Sequence, residues 1–398
     1  MLSPPGQTAG DRAEANNVLR DPNLYIIFCM TSMAVVGAFS IAPALPRISE
    51  DLEVSKAKIG LVMTIFSFPG ILLMPFIGVC ADRFGRRNVL AASLFLFAAA
   101  GSACFFARDF STLLALRFLQ GIGAAPFSSL NIALIGDMYS GNQRTQAVGY
   151  NQAILSVAAA SLTLVGGAFA LWGWRYPFLL PILGVPIGFL IRFRLHAPRL
   201  VRHDHFGVYL QNAWQVVKSR PIMANYIITI LAIIVVWGSY ISYLPILMAL
   251  KLKSEPHIIG AVMMTMMIAS ALTSSQTEKL SRMMSGKTLF KLSFTLYTTA
   301  LVLMPFVGNP WVMIIPVLLF GMAQGILIPN IQNYLSRYSC VKNRGIVMSV
   351  YGSSMRIGQT LGPLIMGLMF PLVGIDGIFF VCAALAFSLV GFAAMALK

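Results

Sequence analysis

Apolar stretches of about 20 residues, bounded by charged residues or by Gly and Pro, recur along the whole chain. They fall near 24–45, 59–80, 88–107, 112–137, 146–170, 175–193, 222–248, 257–277, 286–307, 310–334, 346–370 and 373–396. Each run is long enough to cross a bilayer core as a helix, since roughly 20 residues rising about 1.5 Å apiece match a core of about 30 Å. The runs lack the short alternation of barrel strands, and in lipid only helices and closed barrels satisfy their own backbone. The pattern predicts an all-α membrane protein with twelve transmembrane helices.

The first run begins at residue 24, behind a polar segment without a small-residue cleavage site, so 1–23 is expected to stay as a cytoplasmic tail. The halves of the chain then echo one another at an offset of about two hundred residues. Leu45-Pro46 recurs as Leu244-Pro245, Ile59-Gly60 as Ile259-Gly260, Gln120-Gly121 as Gln324-Gly325, Arg144 as Arg344 and Tyr150 as Tyr351. In a membrane protein such a repeat is the trace of duplicated bundles with a site at their interface. It predicts two pseudo-symmetric six-helix bundles, 24–193 and 222–398, joined by a cytoplasmic linker at 194–221. The linker region carries Arg192, Arg194, Arg199, Arg202, Lys218 and Arg220. It reads either as a segment lying on an anionic membrane surface or as a solvated connector.

Composition supports the membrane assignment: 58% of residues are hydrophobic, 11% are charged, and the mean hydropathy is +0.79. The net charge of +16 would suit nucleic acid, but its placement points elsewhere. Arg83, Arg86, Arg87, Arg144, Lys279, Arg282, Lys287, Lys291, Arg337, Lys342 and Arg344 all fall on one predicted side, with the tail and the linker, and few cations fall on the other. That asymmetry is the positive-inside signal, so both termini are expected in the cytoplasm and no nucleic-acid partner is implied. The five cysteines, Cys29, Cys80, Cys104, Cys340 and Cys382, have neither metal nor disulfide spacing. The His203/His205 pair reads as part of a solvated loop.

Between the second and third runs lies "GVCADRFGRR", with Gly78, Asp82, Arg83, Gly85, Arg86 and Arg87; the fourth run holds "LALRFLQGIGAA", with Arg117, Gln120, Gly121 and Gly123. Together, inside a duplicated twelve-span layout, these motifs resemble those of the major facilitator superfamily, and the resemblance covers the full chain. It implies a secondary transporter that alternates access around a midplane cavity. It also implies a monomer with a small-molecule substrate and a proton as the coupling ion, and a multi-pass place in a bacterial inner membrane. On the residues themselves, Asp82 can accept from backbone amides and from Arg86, and the arginines can pair with Asp137. The cluster then acts as a cytoplasmic latch that favours the outward-open state, or the arginines merely enforce topology.

Ionisable residues inside spans are costly and mark function. None of the thirteen acids falls in the middle of a span, and "VVGAFSIAPALPRI" lacks the first-helix carboxylate found in many drug/proton antiporters of the resembled family. The fifth run, "SVAAASLTLVGG", also lacks the proline of the antiporter motif, which its repeat mate in the eleventh run keeps as Pro363. The interior charges are basic. Arg117 lies in the outer part of the fourth run, and Arg356 lies about ten residues into the eleventh, roughly 15 Å deep at helical rise. Arg356 reads either as a contact for an anionic substrate group or as a structural arginine satisfied by carbonyls, amides and water. Further polar candidates for the cavity are Asn131, Gln152, Tyr240, Tyr243, Gln324, Asn330, Asn333 and Tyr351. Interhelical bonding is the alternative role for each. The twenty-two methionines suit an adaptable surface or plain packing.

These readings lead to an expectation of proton-coupled efflux of drug-like or amphipathic molecules. The alternatives are a carrier for an anionic or neutral metabolite such as a vitamin, siderophore or carboxylate, and a non-transporting receptor or scaffold. No nucleophile and base pair, carboxylate dyad, metal cluster or GxxxxGK[ST] loop is recognisable, so neither an enzyme nor a cofactor is expected, and the driving force must be a gradient.

Overall fold

A computed structural model describes residues 18–195, 219–337 and 344–396, and all regular structure among them is helical. Most of the predicted tail and linker, with Cys340, lie outside the described residues, as does the side chain of Asp82. The first half comprises α1 (Pro22–Asp51), α2 (Leu61–Phe84), α3 (Arg86–Phe106), α4 (Phe110–Met138), α5 (Gly141–Phe169) and α6 (Tyr176–Arg194). The second half comprises α7 (Arg220–Leu252), α8 (Pro256–Ser275), α9 (Gly286–Phe306) and α10 (Ile314–Arg337), followed by the long helix Arg344–Ala396. Gly374, at φ 67°, breaks that helix into α11 (344–373) and α12 (375–396). A short helix, Thr277–Met283, follows α8.

Ten of the described helices are long and apolar enough to cross a membrane, and Val347–Met395 counts once among them although its 49 residues contain two limbs. At about 1.5 Å per residue a straight helix of that length would be more than twice the thickness of a bilayer core.

Helix ends follow local chemistry. Asp21 caps α1 by accepting from the Asn23 amide, and Asp109 caps α4 by accepting from the Thr112 amide at 2.8 Å. Pro22 and Pro256 occupy first-turn positions of α1 and α8, where no amide partner is needed. Gly85 takes φ 83°, so α2 passes into α3 without a loop. The two Leu-Pro repeats mark broken helices: a 3₁₀ turn at Ala42–Ala44 precedes Leu45, and a wide π-helical stretch, Val236–Tyr243, precedes Leu244.

The halves meet along two antiparallel seams, α2 with α11 and α5 with α8. Repeat-related glycines set the spacing of both. A Cβ on Gly60 would lie 2.8 Å from the Pro363 carbonyl oxygen, and one on Gly260 would lie 2.6 Å from that of Thr163. Likewise Gly367 sits against the carbonyl of Ala57, and Gly167 against that of Pro256, each at 2.5 Å. Each contact is the other's counterpart two hundred residues on. Small residues let backbones approach where lipid gives no hydrophobic drive for association. The same symmetry corrects one register drawn from the sequence. Gly121 abuts the Phe66 carbonyl and Gly321 abuts that of Met266, so Gly121 pairs with Gly321, one turn before Gly325.

Candidate functional site

The two ends of the bundle are tied differently. At the end where α1 finishes and α8 begins, Arg47 donates to Glu255 at 2.8 Å, an ion pair that joins the halves, and also to the carbonyls of Ala170 and Leu171 at 2.7 and 2.9 Å. One guanidinium thus holds the carbonyl end of α5 and the start of α8. At this end too, the Tyr243 hydroxyl donates to the Lys56 carbonyl at 3.2 Å, again between halves. Lys251 pairs with Asp376 at 2.7 Å and donates to the Pro305 carbonyl at 2.9 Å, tying α7, α9 and α12 together.

The opposite, basic end carries the Gly78–Arg87 motif. There Arg86 pairs with Asp137, which joins α3 to α4 inside the first half. Arg83 is exposed with its guanidinium over the Phe84 ring, Arg87 is half-buried, and Gly78 is exposed with open space where a Cβ would project. In the second half Arg282 donates to Glu278 at 2.6 Å within one short helix.

The α4 motif is buried against α2. Arg117 has no exposed surface; it donates to the Val62 carbonyl at 3.2 Å and to Gln120 Oε1 at 2.7 Å, and its guanidinium lies 4.2 Å from the Phe66 ring centre. Gln120 fills the space above Gly101, and Gly121 lets α4 reach the α2 backbone. Arg117, Gln120 and Gly121 thus cement α4 to α2 in this state.

The cavity candidates scatter among several environments. Tyr240 is fully buried, donates to the Met263 carbonyl and stacks on Phe320 with ring centres 5.4 Å apart. Tyr243 stacks on Phe370 at 5.7 Å. The π-helical widening of α7 aims both tyrosines into packed surroundings, where all eight of its residues are buried. Gln324 accepts from the Tyr297 hydroxyl, and Asn330 donates to the Gly286 carbonyl at 2.9 Å, linking α10 to α9. Tyr351 is buried, whereas Gln152 and Asn333 are exposed.

Asn131 belongs to a buried chain that sequence reading did not assemble. Its amide donates to the Thr31 hydroxyl, which lies 2.5 Å from Asn151 Oδ1, so α1, α4 and α5 share one polar knot. Thr31 and Asn151 carry only the weak signal of a polar residue in an apolar run, and Gln152 beside Asn151 carries the same signal while facing outward.

Arg356 lies on the α2/α11 seam. Its stem crosses Gly70 of α2, where a Cβ would come within 3.2 Å of its Cδ. Nη1 reaches Gln359 Oε1 at 3.3 Å, and the residue is half-buried. The turn beneath it is bound to α2 as well: the Thr360 hydroxyl donates to the Arg356 carbonyl at 3.0 Å, and the Thr64 hydroxyl donates to the Thr360 carbonyl at 3.2 Å. One turn further, Ser353 meets the sulfur of Met74 at 3.3 Å.

Comparison with known proteins agrees with this architecture. The bacillibactin exporter of Bacillus subtilis (strain 168) is 26% identical over 163 residues, a stretch that spans 39% of this chain and only 40% of that relative. The quinolone resistance protein NorA of Staphylococcus aureus (strain MSSA476) is 22% identical over 350 residues, 87% of this chain and 89% of NorA. A bacterial homologue of the human lysosomal transporter Spinster, solved in an inward-facing and occupied conformation, superposes with a TM-score of 0.79 at 15% identity, over 94% of this chain and 96% of that one. At that identity the likeness is one of fold. The family model described as Major Facilitator Superfamily matches residues 27–255 and 235–398. Matched along both halves, the chain belongs to the Major Facilitator Superfamily of membrane transporters.

Proposed function

We propose that this protein is a secondary transporter of the bacterial inner membrane that exports small amphipathic organic compounds by alternating access, with the proton as coupling ion. Its 24–193 and 222–398 bundles rock about the two seams, both termini lie in the cytoplasm, and the monomer is the working unit. The observation that carries this reading is the repeat-related pair of glycine seams, with Arg47, Glu255, Tyr243 and Lys56 joining the halves at one end. Two bundles hinged on matched surfaces and fastened at one end are built to rock around a site between them. The names of the relatives, an exporter and a resistance protein, support the outward direction.

The test is uptake of ethidium into inverted membrane vesicles with an imposed gradient, acid inside. Accumulation that needs both the protein and the gradient supports proton-coupled export. Accumulation indifferent to the gradient removes the coupling, and absence of protein-dependent movement for ethidium and for organic anions alike removes the transporter reading.

A further inference from the structure

Arg356 lies about ten residues into the apolar run that begins near 346, roughly 15 Å along the helix axis and so near the middle of a core of about 30 Å. A permanent charge at that depth is stable only against water, polar protein groups or an opposite charge. The residue is half-buried at the contact between α2 and α11, and a charge there needs water or polar groups beside it, not lipid. Its stem is fixed across Gly70, and the helical turn below it is bonded to α2 through Thr360 and Thr64. The head group is therefore held in place, as a recognition group must be, and it sits where movement of one half against the other is felt. All thirteen acids lie away from the middle of the spans, so the fixed charge there is positive.

Resting on the transporter reading, we propose that Arg356 anchors the carboxylate, sulfonate or phosphate of anionic amphipathic substrates at the α2/α11 seam, a contact that cationic substrates do not use. A planar guanidinium with a rigid stem offers a fork to such oxyanions, which a flexible ammonium does not.

The full-length protein in liposomes is tested with carboxyfluorescein as the anionic probe and ethidium as the cationic one. Arg356→Gln should lower carboxyfluorescein transport about tenfold or more, the scale of one lost charge-assisted bond, and leave ethidium within about twofold. Arg356→Lys should recover part of the anion flux. Gly70→Ala keeps the charge but displaces the stem, and should raise the KM for carboxyfluorescein several-fold with little change in kcat. Binding is read separately: carboxyfluorescein should raise the Tm of the detergent-purified wild type and not that of Arg356→Gln. Stabilisation without flux of either probe would sink the transporter reading and keep the anchor. Anion flux unchanged in Arg356→Gln, parallel loss of both probes with a lowered Tm, or no anion binding by the wild type would each overturn the anchor.

Discussion

The two seams share a backbone plan and differ in chemistry. Along α5/α8 the glycines Gly167 and Gly260 face each other's helix backbone, and the charges lie only at one end of the seam, where Arg47 joins the α5 carbonyls to Glu255. Along α2/α11 the same spacing at Gly60 and Gly367 is joined by a hydroxyl bond from Thr64 and by the stem of Arg356. Two hundred residues from Thr64, Thr360, Gly70 and Arg356 stand Met264, Ala160, Ser270 and Ser156. Duplication therefore kept the positions where backbones touch, because a side chain there separates the bundles. It left the positions between them free to diverge: α2/α11 carries the Arg356 stem within the helix contact, whereas at α5/α8 the charged pair Arg47–Glu255 sits at the end of the seam.

The largest expected effect comes from breaking what the seams share. Gly260→Leu must displace the Thr163 carbonyl, and overpacking of this kind costs about 1–3 kcal/mol; it should lower the Tm in detergent and abolish transport. Gly60→Leu, its repeat mate, should do the same within error, and a benign result at one of the two would mean that the seams are not equivalent.

A smaller effect sharpens the difference. Thr64→Val removes a hydroxyl bond found on one seam and should cost about 1 kcal/mol, seen as a modest fall in Tm. Met264→Ala on the other seam should leave the α2/α11 hydroxyl bond to Thr360 untouched and change stability through packing alone.

The tie at one end comes next. Glu255→Gln removes the charge across the halves, an exposed pair worth about 0–1 kcal/mol, and should raise labelling of Thr163→Cys by a membrane-impermeant maleimide about twofold to fivefold. Arg86→Ala breaks a pair inside one half and should leave that labelling unchanged; equal responses would mean that neither pair governs closure.

The smallest effect is in pH. Hydrogen bonds from the Thr112 amide and hydroxyl hold the Asp109 carboxyl below its ordinary 3.8. A carboxylate lowered by folding adds stability above its ordinary value and loses it as pH falls through the folded one, so acid should weaken the α4 cap. In the repeat mate Asn309, the side-chain oxygen accepts from the Trp311 amide at 2.8 Å with no proton to gain. Asp109→Asn should therefore flatten the acid limb of a Tm-versus-pH curve.

The fold was legible to the extent that it rests on continuous apolar runs. The runs near 88–107 and 257–277 reappear as α3 and α8 within a few residues. The single Arg344–Ala396 helix differs from two separate spans because Gly374 turns the chain without a loop. The repeat was visible as an offset but not to the turn: a row of small residues in a helix offers matches at i and i+4 alike, and only the Phe66 and Met266 carbonyls decide between Gly321 and Gly325. Among the site residues, Arg356 stood out by its charge in an apolar run. Thr31, Asn151 and Thr64 did not, since a hydroxyl or amide in a helix gains meaning only from its partner.

Length and hydropathy alone determined that this chain spans a membrane as helices, because unpaired backbone in lipid leaves no other solution. The duplicated pattern of Gly and Pro determined that it does so as two related bundles. Tertiary structure decided which residues face one another. It sent Arg47 across to Glu255, Arg86 to Asp137 within its own half, Tyr240 into the packed core and Arg356 over Gly70. Those choices depend on how helices distant in sequence rotate and approach, and that is set by the shape of every surface between them at once.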